Sequence, residues 1–292
     1  MNATTGPIGE PCSENRGQIH TPDGITLSTA AWVPANQKAI ALLVHGHAEH
    51  IGRYAHVIGA LNQRGYAVHS QDHRGHGRSD GERALAMRFD DYVDDFRLMA
   101  IEAQAERPDL AVVLIGHSMG GLIAARYALR YGDDLTALVT TGAAFVIDEG
   151  VANWKKLIAR LIARIAPKAP VPRNDSDTLS YDPVVKEAFR ADPLNYHGKT
   201  RMRTAVEMTI AGADALERAS ELRLPYLAMH GADDTLTSPR GTERFFAGAS
   251  STDKSLKLWP RMKHEIFNEL DRDSVMTYML DWLDQRAGNQ AL

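Results

Sequence analysis

A serine sits among glycines at Gly116-His117-Ser118-Met119-Gly120-Gly121, directly after the apolar run Ala111-Val112-Val113-Leu114-Ile115. Residues this small mark a turn too tight for side chains, with the serine pushed outward at its apex. Read as G-x-S-x-G between a strand and a helix, the motif is a nucleophile turn. A nucleophilic serine needs three things: an exposed oxygen, a base to take its proton, and donors for the oxyanion that forms. The backbone N–H of Met119, at the start of the following helix, points toward developing negative charge. A phosphate-cradling glycine loop is the competing reading, but the lysine of such a loop is missing.

The base belongs near the end of the chain, past a late strand. His264, in Trp259-Pro260-Arg261-Met262-Lys263-His264-Glu265, has that position. His197 falls in an irregular stretch, and His230 at the end of an apolar strand reads as a satisfied core histidine. The acid must lie between serine and histidine and hold the imidazole in the correct tautomer. Asp233 and Asp234 both follow a strand and a glycine turn. Asp234 is chosen here, although spacing alone hardly separates the two. Upstream, the loop opened by His45-Gly46-His47 follows the first buried strand, and the N–H of His47 is placed to be a second oxyanion donor.

That loop has a second reading. His45-Gly46-His47-Ala48-Glu49-His50 resembles a di-metal ligand string, and His69, His73 and His76 add further imidazoles suited to zinc. The di-metal fold is a β-rich sandwich, which does not match the βα alternation here, and this reading leaves the serine turn unexplained. It ranks second.

These residues need a frame. Gln18 to Val33 reads as two short strands around Thr21-Pro22-Asp23-Gly24. Strands follow at Ala39–Val44, Tyr66–Ser70, Ala111–Ile115, Leu135–Val139, Tyr226–Met229 and Leu256–Trp259. Helices are read at Tyr54–Arg64, Phe89–Glu106, from the serine turn to Tyr131, at Gly241–Phe246 and at Asp273–Arg286. Alternation of this kind means a mostly parallel sheet with helices on both faces, whose ligands bind at the carboxyl ends of the strands. His45, Asp72, Ser118, Asp234 and His264 all fall just past such ends.

Composition sets the outer limits. The chain has 292 residues, 44% of them hydrophobic, and a net charge of −4 from 33 basic and 37 acidic side chains. That charge argues against a nucleic-acid partner. One cysteine, Cys12, excludes an intrachain disulfide and a thiolate metal cage. Residues 1–17 lack the pattern of a signal peptide and read as a flexible tail. No apolar run is long enough to span a bilayer. A soluble, cytoplasmic protein is the expectation, with a membrane-docking face still open. The sequence carries no signal for an oligomeric state.

The segments His45–Tyr54, Asp72–Gly81, Gly116–Gly121, His230–Asp234 and Lys263–Glu269 together resemble the α/β-hydrolase superfamily, and more closely the monoacylglycerol lipase group with its bacterial members. The resemblance covers residues 45–269, most of the chain. It implies Ser118 as nucleophile, Asp234 rather than Asp233 as acid, His264 as base, and the amides of His47 and Met119 as the oxyanion hole. It implies an α/β-hydrolase fold, a lipid ester substrate and no cofactor. The expected reaction is hydrolysis of monoacylglycerol to fatty acid and glycerol through an acyl-enzyme. A broad carboxylesterase or a lysophospholipase with the same triad is the alternative, and a non-catalytic lipid-binding module is a further one. Two positions depart from the group's pattern: His47-Ala48 where H-G-x-G-E-H is usual, and Phe189 where tyrosine is frequent. Phe189 lacks a hydroxyl that could meet a glycerol head group.

The expected organisation is a catalytic core of residues 18–144 and 206–288, interrupted by a cap of residues 145–205. Within the cap, Val151, Trp154, Leu157, Ile158, Leu161, Ile162 and Ile165 follow helical spacing and form an apolar stripe. Lys155, Lys156, Arg160, Arg164, Lys168 and Arg173 are the only charges from Val151 to Arg173. Two readings stand. Such a helix docks on an anionic lipid surface and delivers an acyl chain, or it seals the site with its lysines in solvent. On either reading Trp154, Leu157, Ile158, Leu161, Ile162 and Phe189 are candidates to line the substrate pocket.

Overall fold

A computed structural model of the chain describes residues 10–171 and 178–287. Residues 1–9 of the expected tail, Arg173 of the cap and residue 288 of the expected core lie outside the described residues. Eight strands form one sheet: β1 (Glu14–His20), β2 (Thr26–Trp32), β3 (Ala39–Val44), β4 (Tyr66–Gln71), β5 (Ala111–His117), β6 (Ala137–Thr141), β7 (Tyr226–Gly231) and β8 (Lys254–Trp259). Their order is β1-β2-β4-β3-β5-β6-β7-β8. β1 and β2 pair antiparallel, as do β2 and β4, and every pair from β4–β3 to β7–β8 is parallel. β1 begins at Glu14, so residues 14–17 belong to an edge strand rather than to the expected tail.

β3 to β7 are buried along their whole length. The reason is two layers of helices. α1 (Ala55–Gln63) and α8 (Arg272–Ala287) close one face, where Ile58, Leu61, Met279 and Leu283 pack on alternate residues of the central strands. α2 (Asp90–Glu106), α3 (Met119–Tyr131), α6 (Met202–Glu217) and α7 (Pro239–Gly248) close the other, through Phe96, Leu122, Tyr127 and Phe245. Strands covered on both sides read as continuous apolar runs, which is why the sequence betrays them.

Between β6 and α6 the chain leaves the sheet and forms α4 (Asn153–Ile165) and α5 (Pro183–Ala191). α5 starts on Asp182, whose carboxylate accepts from the Val184 N–H, with Pro183 at the first helical position. α6 begins at Met202, inside the span expected for the cap, and continues into the core with its buried face on α3.

Candidate active site

β5 ends at His117 and α3 starts at Met119, so Ser118 alone makes the turn. Its φ is +56°, a conformation that costs a non-glycine residue about 1–3 kcal/mol. Tight packing holds it there. A Cβ on Gly120 would sit 2.3 Å from the Val44 carbonyl oxygen, and one on Gly116 would sit 2.3 Å from the Gly120 carbonyl oxygen. The Ser118 N–H donates to the Thr141 carbonyl at 2.9 Å, and its own carbonyl accepts from Ala144.

Three side chains from distant parts of the sequence meet at this turn. Ser118 Oγ lies 2.8 Å from His264 Nε2, and His264 Nδ1 lies 2.7 Å from Asp234 Oδ2. Asp234 is fixed by its loop, because Oδ1 accepts the amide N–H groups of Leu236 and Thr237. The carboxylate is held well below its usual range. Burial works against this, but the His264 imidazole and the hydrogen bonds from His230 and His264 outweigh it. His264 is raised above its usual value. Burial again opposes, and Asp234 prevails with support from Glu265 and Glu49. Asp233, the alternative acid, is exposed and accepts instead from the Tyr181 hydroxyl of the cap. His197 bonds a carbonyl within the cap. Asp72 stays outside the chain of three: its carboxylate accepts the N–H groups of Ile51 and Arg78 and ties two loops together.

The loop after β3 passes beside the serine, with Gly46 close enough that a Cβ would stand 3.1 Å from that of Ser118. His47 and Met119 line the same cavity as Ser118 and His264. Met119 opens α3, where the first N–H groups have no partner within the helix. Glu49 shapes this loop: it accepts from the Gly46 N–H at 2.5 Å, the Tyr54 hydroxyl at 2.5 Å and Arg53 at 2.6 Å. Arg53 reaches across to Glu265, next to His264, with two bonds of 2.8 and 2.7 Å. Glu265 is thereby held down to about 2, since Arg53 outweighs the opposing effect of burial. Spacing gives no sign of this clamp, because its partners lie 212 residues apart.

Three of the histidines read as metal ligands are spent on backbone groups, and a fourth, His50, pairs with Asp192. His45 Nε2 accepts from the His73 N–H, which leaves Nδ1–H to donate to the Gly46 carbonyl. His73 Nε2 lies 2.9 Å from the His45 carbonyl, and His76 Nδ1 lies 3.0 Å from that of Arg74. Among the described residues no three His, Cys, Asp or Glu side chains converge as ligands.

A cavity of about 500 Å³ opens above Ser118. Apolar walls come from Ile147, Leu179, Phe189, Val206, Met208 and Leu236. Phe189 takes the expected place and also carries the Arg53 guanidinium 5.0 Å over its ring. The other cap candidates need correction. Trp154, Leu157, Ile158, Leu161 and Ile162 are not in the lining; Ile162 is half-buried. The first four are 62%, 68%, 47% and 60% exposed, so the stripe of α4 faces outward. Val151, Lys155, Lys156, Ala159 and Arg160 turn toward the cavity instead. The period gave the stripe correctly, but it does not say which side of the helix meets the protein. The cap is tied down near the site by several contacts, among them that of the Glu265 N–H, which donates to the Leu179 carbonyl. The Tyr196 N–H donates to the Ala48 carbonyl, and His50 Nε2 lies 2.8 Å from Asp192 Oδ2.

A serine turn at a strand's carboxyl end, with a late aspartate and histidine on a mostly parallel sheet, defines an α/β-hydrolase. Residues 35–271 match the family described as serine aminopeptidase, S33, and the chain belongs to this α/β-hydrolase family as a serine ester hydrolase. It is 35% identical to a monoacylglycerol lipase of Mycolicibacterium smegmatis, over 89% of this chain and 93% of that one. It is 30% identical to the phospholipase YtpA of Bacillus subtilis, over 87% of this chain and 98% of that one. The crystal structure of a Paleococcus ferrophilus monoacylglycerol lipase superposes with a TM-score of 0.79 at 26% identity, covering 89% and 99% of the two chains.

Proposed function

We propose that this enzyme hydrolyses monoacylglycerols to fatty acid and glycerol through an acyl-enzyme on Ser118. One observation carries the reading: the Asp234–His264–Ser118 chain of hydrogen bonds ends at a cavity of about 500 Å³ with apolar walls, lined by Ser118 and His264 themselves. His264 takes the serine proton as Oγ attacks the ester carbonyl. The N–H groups of His47 and Met119 receive the oxyanion. The imidazolium, held by Asp234, then protonates the departing glycerol. Water repeats the sequence and releases the fatty acid. Cavity walls contribute by burial, about 0.8 kcal/mol per methylene of the tail.

Comparing kcat/KM on monoacylglycerols, lysophospholipids and short-chain esters tests this. Monoacylglycerols of medium or long chain are expected to exceed the other two classes by at least about tenfold, a difference of about 1.4 kcal/mol. The YtpA relative favours a second reading, a lysophospholipase with the same three residues, and faster turnover of lysophospholipids would select it.

The outward stripe of α4 supports a second part of the proposal. Trp154, Leu157, Leu161 and Ile165 rest on a lipid surface, while Lys155 and Arg160, exposed at the cavity rim, meet its anionic head groups. Among the described residues no helix is long and apolar enough to cross a membrane, so contact would be peripheral. Replacing Trp154, Leu157 and Leu161 together with serine is expected to weaken binding to anionic phospholipid vesicles at least about tenfold. Turnover of a soluble short ester should stay within about twofold of the parent. Unchanged sedimentation with vesicles would remove this surface from the reading.

A further inference from the structure

His230 stands at the carboxyl end of β7, the strand beside the edge strand β8, with its side chain wholly inaccessible to solvent. Its Nε2 faces two acceptors, Asp234 Oδ2 at 2.9 Å and the Thr237 carbonyl at 3.2 Å. That nitrogen must therefore carry the proton. Nδ1 is then bare and accepts from the hydroxyl of Thr242, 2.7 Å away on α7. Thr242 is itself fully buried, so the tautomer is fixed from behind. The oxygen that His230 bonds is the same Oδ2 that meets His264 Nδ1 at 2.7 Å. A histidine needed only to fill the core could use any carbonyl. This one shares an atom with the base.

We infer that His230 is a positioning residue for ester hydrolysis: donating from Nε2, it locks the Asp234 carboxylate in the plane that serves His264 and draws off part of the charge His264 feels. The inference rests on Ser118, His264 and Asp234 acting as proposed above. Thr242, His230, Asp234, His264 and Ser118 then form one line of hydrogen bonds from α7 to the nucleophile. The other charged or titratable groups facing His264 are few. The His117 ring, at the end of β5, is 4.8 Å away. Glu265 is its neighbour in the chain, and Glu49 approaches from the loop after β3, with Arg53 paired to both glutamates. None of these touches His230; between the two rings lie only Asp234 Oδ2 and the uncharged Thr237 hydroxyl, which donates to that oxygen at 2.9 Å and stands 3.3 Å from each ring nitrogen, so the change in charge at His264 comes through Asp234.

The direction follows. His264 must be neutral to take the serine proton. With less of the Asp234 charge shared out, His264 holds a proton to higher pH, and the acidic limb of kcat/KM moves up.

The experiment compares His230→Leu, His230→Gln and Thr242→Val on a soluble ester, with rates normalised to sites titrated by a fluorophosphonate. For His230→Leu, kcat per titrated site should fall about tenfold with KM within about twofold, and the acidic limb should rise by about half a pH unit. His230→Gln puts an amide N–H where ring Nε2 was, and should restore kcat to within about threefold and return the limb. Thr242→Val keeps the histidine and the volume, and should shift both readouts the same way by less. A purely structural role would leave kcat per site and the limb unchanged while lowering the number of titratable sites, and that result overturns the inference. If His230→Leu does not fold, Thr242→Val and His230→Gln decide: an unmoved limb in Thr242→Val, or no return in His230→Gln, overturns it. Wild-type protein that fails to titrate at all would instead overturn the assignment of the three reacting residues.

Discussion

Ser118→Ala is expected to cut kcat by about 10⁴-fold or more and to abolish both the burst of p-nitrophenol from a p-nitrophenyl ester and labelling by a fluorophosphonate. The fold should survive. Alanine pays the same backbone cost as serine at a φ of +56°, and the bonds that hold the turn come from main-chain groups of Ser118 to Thr141 and Ala144. Only Oγ and its bond to His264 Nε2 are lost. The amides of His47 and Met119 and the cavity walls stay, so a non-hydrolysable monoacylglycerol ether should bind within about threefold of the parent. Nucleophile and base act as a unit, and their losses do not add. A Ser118→Ala/His264→Ala double variant should be no slower than Ser118→Ala alone. Turnover by Ser118→Ala within about tenfold of wild type would mean that another group attacks the ester.

That this serine could be picked from the sequence reflects how parallel sheets are built. β3 and β5 are covered on both faces, so their runs stand out, and the residues just past their ends stand out with them. The ends themselves were less legible. β6 was expected at Leu135–Val139 and runs Ala137–Thr141 instead, because its last two residues are polar yet buried. Thr140 bonds the Tyr226 hydroxyl and Thr141 lies 3.0 Å from His117 Nδ1, so both threonines fit inside without an apolar signature. β8 begins two residues early, at Lys254, since a half-exposed edge strand needs no apolar run. The choice between Asp233 and Asp234 is beyond spacing because both follow the same glycine; what separates them is the turn, which buries Asp234 against His264 and exposes Asp233. The α4 stripe misled for a different reason. Periodicity reports that a helix has an apolar side, and a core is the usual partner for it, but here the protein offers a cavity rim on the other side. His230 was legible as buried, but its partner was not. A bond made across four residues of a turn depends on a fold no pattern of residue types records.

Asp234→Asn is expected to lower kcat about 10⁴-fold while leaving a cooperative melting transition, and the reason lies in the proton inventory around the carboxylate. Oδ1 accepts two backbone N–H groups, from Leu236 and Thr237, which cannot change their polarity. Asparagine must keep its carbonyl oxygen on that side. Its NH₂ then replaces Oδ2 and faces His264 Nδ1 and His230 Nε2, both of which were donors. Two N–H groups can satisfy two ring nitrogens only if both imidazoles change tautomer. His230 can do so, because its Nδ1–H would find the oxygen of Thr242. His264 can do so only by moving its proton to Nε2, where it points at Ser118 Oγ and can no longer take the serine proton. Both rings keep a partner on each nitrogen and lose only the long 3.2 Å contact of His230 Nε2 to the Thr237 carbonyl, so stability changes little while the base is disarmed. The influence that raises His264 is lost with the carboxylate, so its protonation moves to lower pH. Acidification therefore cannot explain the loss. The check is kcat per folded molecule across pH 6 to 9, roughly the span in which histidine changes state. A variant retaining more than about a tenth of wild-type kcat, beside an inactive Ser118→Ala, would show that something other than Asp234 orients the imidazole.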